Sequence, residues 1–347
     1  MIQGMKKRAL AVGVAMLCAA FSLSACSQQN NNSSESSNAE ETTSKEAASE
    51  ETTGAESTSA ETADGDTITV TDVRGEVEIP ANPKRIVDLS GKSDILHILG
   101  FDVVGTANSD AYDRTKLPSF LEKDLGDAKI VGFSFQDTMD VEGILPLEPD
   151  LIILSTRQEK MYDQLKTVAP TVMIELAQTD WKDDVRQMGT IFKKSKEADL
   201  WISDYEAKAK EKGEEVKKAF GEDTTYLSIL ASGGQLYVFD AAGFGSMFYE
   251  DMGLKRPSGM PKQENVSLPV ITYEGLASIE ADRILAVGTE QDMEALKANP
   301  IWNNLPAVKA GNVAELPSSP YFSQSYGSIG RDLILDEITS LLGNTQP

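Results

Sequence analysis

Histidine, cysteine and aromatic side chains are scarce in this 347-residue chain, which has one His, two Cys and 7% aromatics. A zinc site draws about four imidazole or thiolate ligands, so no metal site of the protein's own is expected. A Ser-His-Asp triad would have His97 as its single candidate base, and no G-x-S-x-G elbow exists to receive it. Positive charge is short too: 32 Lys and Arg face 55 Asp and Glu, for a net charge of −23. Nucleic acid needs a basic face and is excluded as a partner.

No apolar run is long enough to span a bilayer. The longest follows Lys6, Lys7 and Arg8, runs from Ala9 to Ala20, and has the shape of an export signal. It ends in Leu23-Ser24-Ala25-Cys26, which resembles the bacterial lipobox, where cleavage leaves the cysteine as a lipidated first residue. An ordinary signal peptide with an incidental Cys, or an uncleaved N-terminal anchor, is the plainer alternative. Ser27 to Asp66 then has no aromatic residue, ten acids and one Lys. Such a segment cannot bury enough apolar surface to order itself and reads as a tether, with an r.m.s. reach of roughly 35 Å. Cys18 falls in the signal and Cys26 at the anchor, so no disulfide is expected in the rest.

From Thr67 onward, hydrophobic runs of strand length alternate with helical patterns. Thr67–Ile79 reads as a hairpin turning at Arg74-Gly75. Arg85–Leu89, Val103–Gly105, Leu151–Leu154 and Val172–Ile174 read as strands between helices, and Tyr226–Leu230, Gln235–Phe239, Ile284–Val287 and Val313–Leu316 restart the rhythm. Between the two sets, Ser195–Phe220 is rich in helix formers, with Gly221 as its stop. The fold class is α/β, with two α/β lobes joined by a single long rigid helix and a ligand cleft between them. The expected boundaries are signal 1–25, tether 26–66, N-terminal lobe 67–178, linker with the long helix 179–221 and C-terminal lobe 222–343. An internal repeat supports the pairing of lobes. Residues 141–154 match 273–286 at five positions, including Glu142/Glu274, Gly143/Gly275 and Asp150/Asp282.

Several motifs bear on chemistry. Leu89-Ser-Gly-Lys-Ser93 follows a strand and opens a helix, but Ile86 stands where a phosphate loop needs glycine, so no NTP site is expected. Lys92 with free N–H groups there still suits an anion, beside the bland reading of a plain turn. Gly243-Phe-Gly245 lacks the third glycine of a dinucleotide fingerprint. His97 reads as a histidine packed on a core helix, with an axial haem ligand as the sharper alternative. Arg157, just past a buried strand, sits where open α/β sheets bind ligands and offers a planar fork to an anion. Phe133, Phe135, Phe244, Tyr321, Phe322 and Tyr326 fall in cleft-type loops, Phe133 leaning toward core. Trp302 reads as structural.

Together these residues resemble the bacterial ABC-transporter solute-binding proteins for ferric siderophores, haem and cobalamin. The resemblance covers Thr67 to about Leu342. It rests on Pro83-Lys-Arg-Ile-Val87, Glu142 through Leu154, the long helix, Glu274 through Val287, and Trp302 through Val313. It implies that Glu142 and Glu274 dock into arginine pockets of two permease subunits, and that a stiff helix permits only a small closure. Ser155-Thr-Arg-Gln158, Met161-Tyr162 and Ala169-Pro-Thr171 are similar to the catecholate branch, and Gly253-Leu-Lys-Arg-Pro257 to the hydroxamate branch. The resemblance implies a monomeric, lipid-anchored protein on the extracytoplasmic face of the cell membrane. It would capture a ferric siderophore, hold no cofactor of its own and catalyse nothing. Candidate ligand contacts are Arg157, Lys92, Phe135, Tyr321, Tyr326, Arg114 and Phe244. Haem or a cobalamin-like corrinoid is the alternative cargo; a cell-surface enzyme or an adhesin is the alternative of another class.

Overall fold

Short runs of fully buried residues build two sheets. The computed structural model describes residues 67–177, 179–265 and 267–343. The signal, the tether and Cys26 lie outside them. The chain opens with a hairpin of β1 (Thr67–Asp72) and β2 (Gly75–Pro80). The first sheet holds β3 (Ile86–Asp88), β4 (Val103–Thr106), β5 (Lys129–Ile130), β6 (Leu151–Ser155) and β7 (Thr171–Ile174), in spatial order β5-β4-β3-β6-β7 and parallel throughout. Every residue of β3, β6 and β7 is buried, as expected of strands covered on both faces. The second sheet holds β8 (Tyr226–Ser232), β9 (Gln235–Val238), β10 (Val270–Ile271), β11 (Arg283–Gly288) and β12 (Val313–Pro317), in order β10-β9-β8-β11-β12. Here β8, β11 and β12 are parallel, β9 folds back antiparallel to β8 across Gly233-Gly234, both at positive φ, and β10 pairs antiparallel with β9.

The internal repeat has a structural counterpart. In each copy a short helix is capped by the residue three before its glycine. Asp140 accepts from the Gly143 N–H at 2.9 Å, and Thr272 from the Gly275 N–H at 3.1 Å. The repeat's aspartate then pins the neighbouring strand. Asp150 accepts from the N–H groups of Lys84 and Arg85, ahead of β3, and Asp282 from that of Thr225, ahead of β8. Burial of Asp282 is slight, and its bonds with Thr225 hold its carboxyl below the usual range.

Residues 179–221 are not one helix. Trp181–Ile191 forms a separate helix, N-capped by Asp180, and Lys193 at positive φ breaks the chain before Ser195–Phe220. That 26-residue helix is about 39 Å long. It buries Ala198, Ile202, Tyr205, Ala209, Gly213 and Val216, a stripe at helical spacing. Leu200 lies off that stripe and is exposed. One hydrophobic core follows the stripe from Val70 to Leu342 through both lobes, which belong to one compact unit.

Gly213 shows why the helix tolerates a poor helix former. A Cβ there would collide with the Met252 carbonyl, where the helix lies against the C-terminal lobe. Gly213→Ala gains about 1 kcal/mol of intrinsic helix propensity, but the collision costs about 1–3 kcal/mol. Urea denaturation is therefore expected to show a net loss of stability, with an unchanged midpoint contradicting this close approach.

Candidate functional site

A cavity of about 550 Å³ lies between the lobes. Its N-terminal wall is made by the segments that leave the carboxyl ends of parallel strands: Ser90–Lys92 after β3, Asn108-Ser109 after β4, Ser155–Arg157 at the end of β6, and Glu175–Ala177 after β7. This is where open parallel sheets present loops and free backbone groups. The opposite wall comes from Tyr237, Gly243, Leu268, Phe322 and Tyr326, and Trp181, Asp184 and Arg331 close the inner end.

The arginine and phenylalanine bets on the N-terminal wall fall together. Ser155 and Gln158 form a capping box, with Oε1 of Gln158 accepting from Ser155 N and Oγ at 3.0 and 2.7 Å. The other end of buried Gln158 donates to the carbonyls of Ser134 and Gln136, each at 2.8 Å. Gln158 thereby ties the Phe133–Phe135 loop to the end of β6. The result is a row in which two rings lie between two cations. Arg114 lies 4.5 Å from the Phe133 centroid, Phe133 lies 5.4 Å from Phe135, and Arg157 lies 5.6 Å from Phe135. Phe133 lines the cavity and is not a core residue. Phe135 is 61% exposed. Arg114 stands behind Phe133, outside the lining.

Lys92 is in the lining, but its charge is spent: Nζ lies 2.7 Å from Asp184. The N–H groups of its turn are spent too. Buried Asp88 accepts from the N–H of Ser90 and Lys92 at 3.0 and 2.9 Å and from the hydroxyls of Ser90 and Ser93. The turn cradles an internal carboxylate in place of an external anion, and burial pushes that carboxyl up against the pull of its hydrogen bonds. Arg331 is also neutralised, 2.7 Å from Asp251 with both side chains 2% exposed. Among the described residues, Arg157 is the cavity cation with no acidic partner.

Two bets on the C-terminal wall are corrected. Phe244 is fully buried and absent from the lining. Gly243 turns the chain at φ 56°, which sends Phe244 behind Phe239, 5.8 Å away, into the core. Tyr321 is also outside the lining. The segment read as an irregular loop is a helix, Ser318–Gln324, so neighbouring side chains point apart and Phe322 takes the cavity position. Tyr326 lines the cavity as expected, its ring 5.3 Å from Phe322. Burial pushes its phenol well above the ordinary range. His97 is neither core nor cavity: it is half-exposed on its helix, 3.7 Å from Asp124. Trp302 is buried in the C-terminal lobe, as expected.

Glu142 and Glu274 are both exposed, each in the first turn of its capped helix, and neither has an ion-pair partner among the described residues. No described helix is long and apolar enough to cross a membrane.

A two-lobed α/β frame around an interlobe cavity defines a class of solute-binding proteins, and comparison places the chain in it. The periplasmic binding protein family model matches residues 91–320, and the chain belongs to that family. Among curated proteins, it is 27% identical to a probable siderophore-binding lipoprotein of Bacillus subtilis, YfiY, over 98% of this chain and all of that one. It is 29% identical to the iron(3+)-hydroxamate-binding protein FhuD of the same organism, over 79% of this chain and 87% of that one. Among solved structures, Staphylococcus aureus SirA complexed with staphyloferrin B aligns with a TM-score of 0.65 at 25% identity, covering 81% of this chain and all of that one.

Proposed function

We propose that this chain is the lipid-anchored, extracytoplasmic binding component of an ABC importer, and that it captures a ferric siderophore of low net charge between its lobes. The observation that carries the ligand class is the cavity's free charge among the described residues: one arginine, Arg157, and one carboxylate, Glu175, without ion-pair partners among aromatic rings and hydroxyls. Three hydroxamates, each with one negative charge, neutralise ferric iron, whereas three catecholates with two charges each leave a strongly anionic complex. A single free cation in a chain of net charge −23 suits the former. The siderophore supplies the iron ligands, so the protein contributes shape, stacking surface and one cationic fork, as binding clefts of this size commonly do.

Haem or a corrinoid fits less well. His97, the one histidine of the chain, is outside the cavity lining and offers no axial ligand there. The family supports a binding role over a catalytic one. Cys26 is the proposed anchor, and the exposed Glu142 and Glu274 are the proposed permease contacts. The protein is read as a monomer.

Calorimetric titration with a ferric trihydroxamate tests the site. Arg157→Ala is expected to weaken binding by roughly 30-fold, the scale of an arginine hot spot. Unchanged affinity would remove Arg157 from the site.

A further inference from the structure

Most formal charges in the cavity are neutralised from within. Lys92 pairs with Asp184, Arg331 with Asp251, and buried Asp94 accepts from the Ser328 N–H at 2.6 Å. Two are not. Arg157 and Glu175 are both exposed, both line the cavity, and neither has a hydrogen-bond or ion-pair partner among the described residues. They also leave neighbouring strands. Ser155 at the end of β6 stands opposite Ile174 at the end of β7; Glu175 follows Ile174 directly, and Arg157 stands two residues past Ser155 in the turn that leaves β6. Neighbouring strands are about 4.8 Å apart, yet no ion pair joins the two side chains.

We propose that the cavity selects a ferric siderophore carrying a protonated amine, which Glu175 receives while Arg157 faces the chelate oxygens. A purely anionic complex drawn to Arg157 would meet the Glu175 carboxylate one strand away and be opposed by it. A neutral complex would leave Glu175 beside a desolvating ligand with no partner. A chelate with an ammonium arm satisfies both groups at once. The acid therefore discriminates by attraction toward the amine and by repulsion of the polyanion. Selection of this kind resides in Glu175, which no sequence motif singled out.

The inference rests on the reading of the cavity as a ferric siderophore site, and one titration series separates the two. The probes are ferrioxamine B, a linear ferric trihydroxamate ending in a primary ammonium, and its N-acetyl derivative, which has the same chelate without the charge. The purified protein is expected to bind the ammonium form about three- to fivefold more tightly, the range of a solvent-accessible ion pair. Glu175→Gln is expected to bind the two forms equally, losing the preference of the unaltered protein. Glu175 is exposed, so the variant retains the fold. Equal binding of both probes by the unaltered protein would overturn the amine assignment and leave the siderophore reading standing. Discrimination that persists in Glu175→Gln would also overturn it. Saturable binding of neither probe would overturn both readings.

Discussion

Arg331→Met is expected to lower the melting temperature by roughly 8 °C, the consequence of about 3 kcal/mol in a domain of this size. Arg331 is 2% exposed and anchors the inner end of the cavity. It pairs with Asp251, donates to the Gly243 carbonyl at 3.0 Å and to the Ser246 hydroxyl, and lies 5.3 Å from the Trp181 ring centroid. Asp251 would keep Lys182 at 3.0 Å and the Tyr205 hydroxyl at 2.9 Å, but it would lose its most buried cation. The cost arises mainly from leaving a buried carboxylate underpaired. A double variant, Arg331→Met with Asp251→Asn, removes the charge but keeps an acceptor for the Tyr205 hydroxyl and is therefore expected to recover most of the loss. Thermal denaturation of the three proteins decides the matter. A double variant no more stable than Arg331→Met would show that the arginine acts through packing and its bonds to the Gly243 turn, not through the ion pair.

Replacing Glu142 and Glu274 together by Ala is expected to abolish uptake of the ferric complex by cells while leaving its affinity for the purified protein unchanged. Both carboxylates are exposed on capped helices outside the cavity lining. Each favours its helix N-terminus by only about 0.3–1 kcal/mol, so the folded protein should survive their loss. Each single variant is expected to retain partial uptake, because one lobe would still engage its permease subunit. Normal uptake by the double variant would refute the docking assignment, and weakened ligand binding would place these residues in the wrong role.

What the chain discloses in advance follows the range of the interactions involved. Local period and burial were readable: the strand runs, the long helix with its Gly221 stop, and the paired copies at residues 141–154 and 273–286. Arg157 and Phe135 could be located because the ends of parallel strands are where such folds bind ligands. Whether a charge is available could not be read locally. Lys92 is spent on Asp184, from a helix far along the chain, and the turn's amides are spent on Asp88. Side-chain direction was the other obstacle. The choice between Tyr321 and Phe322 depends on a helix that a polar, aromatic segment did not announce. Phe244 is turned inward by the backbone at Gly243. Gln158 and Glu175 carry no motif, and only the assembled strand ends show what they face.

The most direct test of the binding account is a fluorescence titration of the purified protein with a ferric trihydroxamate, a ferric tris-catecholate and haem. Trp181 lines the cavity and is the natural reporter; Trp201, 5.6 Å from it, and Trp302, buried in the C-terminal lobe, are both outside the lining. The account predicts saturable quenching by the trihydroxamate, much weaker binding of the catecholate, and loss of most of the signal in Trp181→Phe. Tighter binding of the catecholate or of haem, or no saturable response to any of the three, would contradict it.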